Sequence, residues 1–375
     1  MTNNKVESEV NTDYDIMIVG GGPAGVSTWL HLHKFAPELA KKTVLIEKEK
    51  YPRDKLCGGG IGGWSELILK NLDVKLSIPS LFVSDLEFRF GNEADTLHQP
   101  NSFRMVRRIE FDYALAKTAI NRGLHLHENE MFIDMMRKNK FLIVRTNKRK
   151  YKVKVLIGAD GALSIVRRRM KLPNKPHLAP TLEIFAEADP RYDSEFKEKK
   201  IVLDFTPIKE GITGYIWHTP CIKDHKPFIG HGICNLRFSL DKPKVSIKRL
   251  FARELLLRNI HIEPKFWSSH PIRCLSENDI ISQPNIFLVG DAAGVEPATG
   301  GGIHFALSYG EVAANTIINA FQTNDFSFND YKQRFWSHLA GKYLAKCIRL
   351  ANQMYAQGVN PLEVAREVFR VNQMS

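Results

Sequence analysis

Cysteine is scarce in this chain: five residues, at positions 57, 221, 234, 274 and 347, odd in number and irregularly spaced. Such a set builds no disulfide framework and points to a reducing compartment. Long apolar runs are missing too. No uninterrupted stretch approaches the roughly 18 residues that cross a bilayer, and residues 1–12 are polar, without the apolar centre of a secretory leader. A cytoplasmic protein is therefore expected. Internal repeats, low-complexity segments and nucleic-acid-binding motifs are absent, so no nucleic-acid partner is expected. With 43% hydrophobic residues over 375 positions, the chain has material for two or three packed units.

Acids are outnumbered. Lysine and arginine number 53 against 41 aspartates and glutamates, a net charge of +12. The basic residues cluster at Lys148–Lys154, at Arg167-Arg168-Arg169 and at Lys197–Lys200. Two readings stand open: solvated hairpins and helix ends, or attraction to an anionic membrane surface. Lys150, Lys152 and Lys154 alternate with Tyr151, Val153 and Val155, which suits the wet face of a strand.

Glycine is concentrated in three distant segments. The first is Asp15-Ile-Met-Ile-Val-Gly20-Gly-Gly22-Pro-Ala-Gly25, the second Val155-Leu-Ile-Gly158-Ala-Asp160-Gly161, the third Ile286-Phe-Leu-Val-Gly290-Asp291-Ala-Ala-Gly294, followed by Pro297 and Gly300-Gly-Gly302. In the first, an apolar strand runs into a turn at Gly20. Gly22 lets the backbone approach a pyrophosphate, and Gly25 lets the next helix pack on the sheet. That helix presents free N–H groups to the phosphates. The strand Thr43–Glu47 ends in an acid 22 residues after Gly25, where a ribose hydroxyl needs a carboxylate. The three segments in this order point to one elongated groove for FAD. No second GxGxxG marks a nicotinamide-nucleotide domain, so the electron donor is left between transient NADPH and a ferredoxin-like carrier.

The expected class is α/β. A doubly wound, Rossmann-like FAD-binding domain with ββα-type inserts covers 13–79, 105–180 and 275–327. A mainly antiparallel β domain for the substrate covers 80–104 and 181–274, with a hairpin turn near Gly91-Asn92. A helical segment follows at 328–375, broken near Gly358 and Pro361, and residues 1–12 are expected to be disordered. The set His218, Cys221, His225, His231 and Cys234 has metal-ligand residue types. Strand parity, however, puts His231 and Cys234 on opposite faces, so no metal is expected.

The segment Tyr51-Pro-Arg53-Asp-Lys55-Leu-Cys57-Gly58-Gly-Gly60 resembles a signature of the geranylgeranyl reductase family, within the para-hydroxybenzoate hydroxylase-like flavoproteins. Arg108-x-x-Phe111-Asp112, Gly158-Ala-Asp160-Gly161, Gly290-Asp-Ala-Ala-Gly294 and Gly300-Gly-Gly302-Ile303 match as well. The resemblance runs from about residue 13 to 330. It implies FAD contacts from Ala24, Glu47, Arg108, Asp291, Gly302 and Ile303. Lys48, Cys57, Gly58, Gly60, Asp160, Pro297 and Gly300 complete the expected cofactor set. Tyr215-Ile-Trp217-His-Thr219-Pro-Cys221 is similar to the family's Tyr-x-Trp-x-Phe-Pro-Lys motif, with Thr219 and Cys221 departing from it. Tyr215 and Trp217 are the expected substrate contacts.

The same resemblance implies an oxidoreductase whose reduced flavin passes hydride to carbon–carbon double bonds of an isoprenoid lipid. Phe205, Tyr215, Trp217, Phe228, Phe238 and Trp267 are candidates for a greasy tunnel or for an ordinary β-domain core. The amphipathic C-terminal helices fit a peripheral membrane contact. A flavin monooxygenase, a halogenase (for which Lys55 is the nearest lysine) and a non-catalytic flavin-binding protein remain as alternatives. No catalytic residue is fixed. His304 reads either as a proton donor beside the flavin or as a packed helix residue. Cys57 reads as a flavin neighbour, a redox thiol or a small buried hydrophobe.

Overall fold

The computed structural model describes residues 10–173, 177–237, 245–295 and 300–370; Pro297 and Phe238 lie outside them. Its central sheet has six strands, in the order 282–283, 286–288, 155–158, 16–19, 43–46, 125–127. All neighbours are parallel except the edge pair 282–283 with 286–288. Ile16–Val19, Thr43–Ile46 and Val155–Gly158 are buried at every position, as parallel strands covered on both faces must be. In register, Gly158 lies between Val19 and Leu288. The three glycine segments therefore leave adjacent strands at the same edge of the sheet, where open α/β sheets bind ligands.

Two helices carry that edge. Pro23–Phe35 and Gly302–Thr323 touch at Gly310, where a Cβ would fall 2.3 Å from Ser27 Oγ. The Ser27 hydroxyl donates to the Leu307 carbonyl at 2.7 Å. This close contact sets both helix N-termini on one groove.

A four-stranded sheet (10–11, 150–153, 141–146, 132–138) flanks the central one. Its edge corrects the expected disorder at residues 10 and 11, where Val10–Asn11 pairs in parallel with Lys150–Tyr151; residues 1–9 lie outside the described residues. Lys150, Lys152 and Lys154 are half-buried while Tyr151, Val153 and Val155 are buried, the alternation expected of a strand with one wet face.

The third sheet has seven strands, in the order 181–187, 226–234, 216–223, 200–204, 81–90, 93–105, 60–62. It is antiparallel apart from the pairing of 200–204 with 81–90. Gly60–Gly62, which the sequence places with the cofactor domain, is hydrogen-bonded to Phe103–Met105 as its edge strand. The signature loop 51–60 thus ties the two halves together.

The C-terminal segment differs from expectation in two ways. Tyr331–Ser337 and Leu339–Tyr355 are separate helices, because His338 is extended and its Nδ1 accepts from Ala340 N at 3.2 Å. Their apolar faces are also covered: Cys347, Leu350, Met354, Leu362 and Val364 pack with Val83, Leu86 and Phe88 of the seven-stranded sheet. The amphipathicity of this segment is that of helices docked on a core.

Candidate functional site

A cavity of about 1730 Å³ runs from the glycine edge of the central sheet to the face of the seven-stranded sheet. At the sheet edge the glycines have different jobs. Gly20 takes φ +107°, and a Cβ there would lie 2.4 Å from Ala159 O; one on Gly25 would lie 2.1 Å from Gly20 O. Both are demanded by the fold. Gly22 is extended, caps the helix Pro23–Phe35 without a side-chain hydrogen bond, and has only Arg53 Nη2 at 4.0 Å from its Cβ position. Its side-chain space opens into the groove, so a pyrophosphate would meet bare backbone and a helix N-terminus.

Glu47, buried at the end of its strand, accepts from Gly21 N at 2.9 Å. Arg53 lies 3.2 Å from Glu47 and 3.0 Å from Asp112. Asp112 takes a bidentate pair from Arg108, at 2.7 Å from Nε and 2.8 Å from Nη2. This buried chain of alternating charges fixes the ribose-side carboxylate and satisfies Arg108 internally. Arg108, expected as an FAD contact, borders the groove while its Nε and Nη2 are engaged by Asp112.

Asp160 also turns inward. Its carboxylate accepts from Ser164 Oγ, from Ile165 N at 2.6 Å and from Val166 N at 3.1 Å, capping the short helix Ile165–Arg169. Asp291 faces the groove and pairs with Lys55 Nζ at 2.8 Å. Burial raises the Asp291 pKa, but Lys55 and Arg108 outweigh it and keep the carboxyl below its ordinary value. Beyond Asp291, Gly300 and Gly301 take φ +84° and +102° and start the helix at Gly302, one residue before Ile303, with no side-chain cap. Two uncapped helix N-termini, a buried carboxylate and an acceptor beside the strand end line one elongated groove. This donor and acceptor set fits the phosphates, ribose and ribityl chain of FAD.

On the far side the groove turns apolar, with Leu86, Phe103, Met105, Ile201, Leu203 and Tyr215 among its walls. Trp217 lies at the junction. The row across three strands reads Glu183, Gly232, Trp217. A Cβ at Gly232 would fall 2.1 Å from Trp217 Cζ2, so the bare glycine lets the indole cross the strand. Its Nε1 then donates to Glu183 Oε1 at 3.2 Å. Burial pushes the Glu183 carboxyl up to about 7, against the pull of Trp217 and of the Cys57 N–H.

The FAD binding domain family matches residues 13–308. The chain belongs to that family. This flavoprotein is also similar, at 27% identity, to a digeranylgeranylglycerophospholipid reductase of Methanocaldococcus jannaschii, over 90% of this chain and 85% of the relative. It is 25% identical to conditioned medium factor receptor 1 of Dictyostelium discoideum, over 91% of this chain and 71% of the relative. Among solved structures, a geranylgeranyl bacteriochlorophyll reductase-like protein from Thermoplasma acidophilum superposes with a TM-score of 0.71 over 96% of both chains, at 22% identity. The resemblance to geranylgeranyl reductases seen in the motifs thus extends over nearly the whole flavoprotein.

Of the remaining expected cofactor residues, Ala24, Cys57, Gly58 and Gly60 border the groove; Lys48 sits at its rim, 66% exposed and paired with Glu49. The Cys57 thiol is pushed up by burial, which keeps it protonated and leaves no thiolate for redox chemistry. His304 packs against Trp64 with ring centroids 5.4 Å apart. Burial alone lowers its pKa to about 3, so the imidazole, which borders the groove, is neutral at physiological pH. Lys55, committed to Asp291, is not a free pocket ammonium.

Several tunnel aromatics do not reach the groove. Trp267 stacks edge-on against Phe251 in a separate cluster, and Phe205 is fully buried behind Tyr215. Among the described residues no group of three His, Cys, Asp or Glu side chains is placed to hold a metal ion. His218 and His231 instead meet each other, Nδ1 to Nδ1 at 2.7 Å, with Glu254 3.3 Å from His218 Nε2. No helix of the described residues is long and apolar enough to cross a membrane.

Proposed function

We propose that this flavoprotein reduces carbon–carbon double bonds of a geranylgeranyl-type isoprenoid lipid. Bound in its reduced form, FAD would supply the hydride for one carbon of the bond. The observation that carries the reading is the apolar wall that continues the cofactor groove. The whole cavity, about 1730 Å³, exceeds the roughly 300–1,000 Å³ of an ordinary small-molecule site, and its second half offers Leu, Ile, Met, Phe, Tyr and Trp side chains to a long apolar chain. The names of the methanogen reductases support the same substrate class.

The chain's own residues do four things in this scheme. The N-termini of Pro23–Phe35 and Gly302–Thr323 bind and orient anionic groups of the cofactor. Asp291 and Glu47 accept from its hydroxyls. Tyr215 and Trp217 hold the isoprenoid against the glycine loop 57–60. The apolar walls exclude water. At the mouth stand Leu67 and Leu339, 51% and 67% exposed, beside Lys342 and Lys346; this rim suits entry of a lipid from an anionic surface. Electrons would come from NADPH or from an acidic ferredoxin-like carrier drawn to the net charge of +12.

The test is anaerobic reduction of the purified yellow protein, then mixing with geranylgeranyl lipids. Flavin re-oxidation with addition of two hydrogens to the lipid, seen by mass spectrometry, supports the reductase. A flavin that stays reduced until oxygen is admitted refutes it and favours a monooxygenase.

A further inference from the structure

Saturating a double bond takes a hydride on one carbon and a proton on the other. The proton donor is the unassigned half of the reaction proposed above, on which this inference rests. His304, neutral and packed, does not fill the role, and neither does the buried Cys57 thiol. Glu183 was not evident from the sequence, yet it stands where such a donor is needed. It borders the cavity and is 1% exposed. It meets the Cys57 N–H of the glycine loop on one side and Trp217 on the other. Its Oε1 is held by the indole at 3.2 Å, while its Oε2 is buried without a hydrogen-bond partner among the described residues. An unpartnered buried carboxyl oxygen is costly unless a proton or a ligand completes it.

We propose that Glu183 is the catalytic acid, its Oε2 carrying the proton delivered to the substrate carbon opposite the one that receives hydride. The balance is closed. A hydride, which carries both electrons, would come from the reduced cofactor and the proton from Glu183; the carbon–carbon π bond would be replaced by two C–H bonds, and Glu183 would be left as a carboxylate that regains its proton from solvent through the groove. The backbone of Glu183 lies opposite Gly232 on one edge and on the other exchanges two hydrogen bonds with Ser268, donating to Ser268 O at 2.9 Å and accepting from Ser268 N at 3.0 Å, so the carboxyl is held in place.

The charged and titratable groups around Glu183 are few. Arg107 and Asp54, an ion pair at 2.8 Å, act on it from the loop and the helix start, with opposite signs. Cys57 and Cys221 face it from the glycine loop and the strand 216–223, both with thiols raised by burial. His270, on the segment beside Ser268, is lowered by burial. On the strand 226–234 the facing positions are Gly230 and Gly232. Desolvation therefore dominates, and the carboxyl stays protonated up to about pH 7.

The experiment compares wild-type holoprotein with Glu183→Gln and Glu183→Asp in single-turnover flavin re-oxidation by a geranylgeranyl lipid, and by infrared difference spectroscopy of the carboxyl C=O band. The wild-type rate should fall as pH rises through about 7, with a protonated-carboxyl band lost over the same range. Glu183→Gln should bind flavin as before, lack both the band and the inflection, and react about a hundredfold or more slowly; Glu183→Asp should recover part of the rate. A wild type that turns over while Glu183→Gln matches it in rate and pH profile overturns the donor alone. So does a rate that climbs through pH 7, or a band that titrates in the ordinary carboxylate range. A wild type that is re-oxidised by no isoprenoid overturns the reductase reading and the donor with it.

Discussion

Burying Glu183 has a cost that is readable without any substrate. The carboxyl titrates at about 7 in the folded protein against an ordinary 4.5. A carboxyl with a raised folded pKa favours the fold most below its unfolded value, and that contribution is lost as pH rises towards the folded one. Between about pH 5 and about pH 8 the fold should lose about 2–3 kcal/mol on this account, at about 1.4 kcal/mol for each pH unit in which only the unfolded chain ionises. Glu183→Gln removes the titration. Its amide still accepts from Trp217, while its NH₂ takes the position of the unpartnered oxygen at a cost that does not vary with pH. The quantity to measure is thus the difference between mutant and wild type, by urea or thermal unfolding of flavin-free protein at several pH values. Glu183→Gln should gain about 2–3 kcal/mol on wild type across this range, about 3 °C for a chain of 375 residues. A difference that stays flat within about 0.5 kcal/mol, or that shrinks as pH rises, refutes the placement of Glu183 as a desolvated carboxyl.

Other changes separate folding from binding. Gly22→Ala meets no atom closer than 4.0 Å; it should leave the melting temperature within about 1 °C of wild type and cost about tenfold or more in FAD affinity, measured by flavin titration. Gly25→Ala collides with Gly20 O and should destabilise the protein by about 1–3 kcal/mol before any question of binding arises. Gly232→Ala drives Trp217 off the strand; a similar loss in urea unfolding, with a changed tryptophan emission spectrum, is expected. Glu254 is buried, which raises its pKa, but His218 and Arg258 hold it down at about 2. Its contribution is present above 4.5 and disappears as pH falls towards 2, so Glu254→Gln should destabilise the protein at neutral pH and converge with wild type in acid unfolding.

The fold and the cofactor cradle were legible because their signals are local. A buried strand, a φ > 0 turn and a helix start lie within about ten residues of one another, as in Ile16–Gly25, and each residue's job follows from its neighbours in the chain. The strand parity of Lys150–Val155 was legible for the same reason. What was missed depended on partners far away in sequence. Asp112, one turn on from Arg108 in the same helix, takes its bidentate pair, but only Arg53, from a distant loop, shows that this pair belongs to a buried ion chain. The C-terminal helices were read as fitting a peripheral membrane contact, but amphipathicity does not say what covers an apolar face, and here the seven-stranded sheet covers residues such as Leu350, Met354 and Leu362.

Glu183 shows the limit most sharply. In sequence it is an acid in Thr181-Leu-Glu183-Ile-Phe, an ordinary alternation for a strand with one polar face. Its character comes from three facts of register. Gly232 faces it on the next strand, Trp217 sits one strand further on, and the loop at Cys57 closes from above. The motif Tyr215-Ile-Trp217 was visible, but only the pairing shows that Gly232 makes room for Trp217 to reach Glu183. A polar residue on the face of a sheet that walls a cavity is exposed or buried, charged or neutral, according to what its cross-strand neighbours lack. Here the missing side chain at Gly232 leaves the carboxyl with an indole in place of water. That substitution turns a surface-type glutamate into a group that titrates near neutrality at the meeting point of cofactor groove and apolar wall.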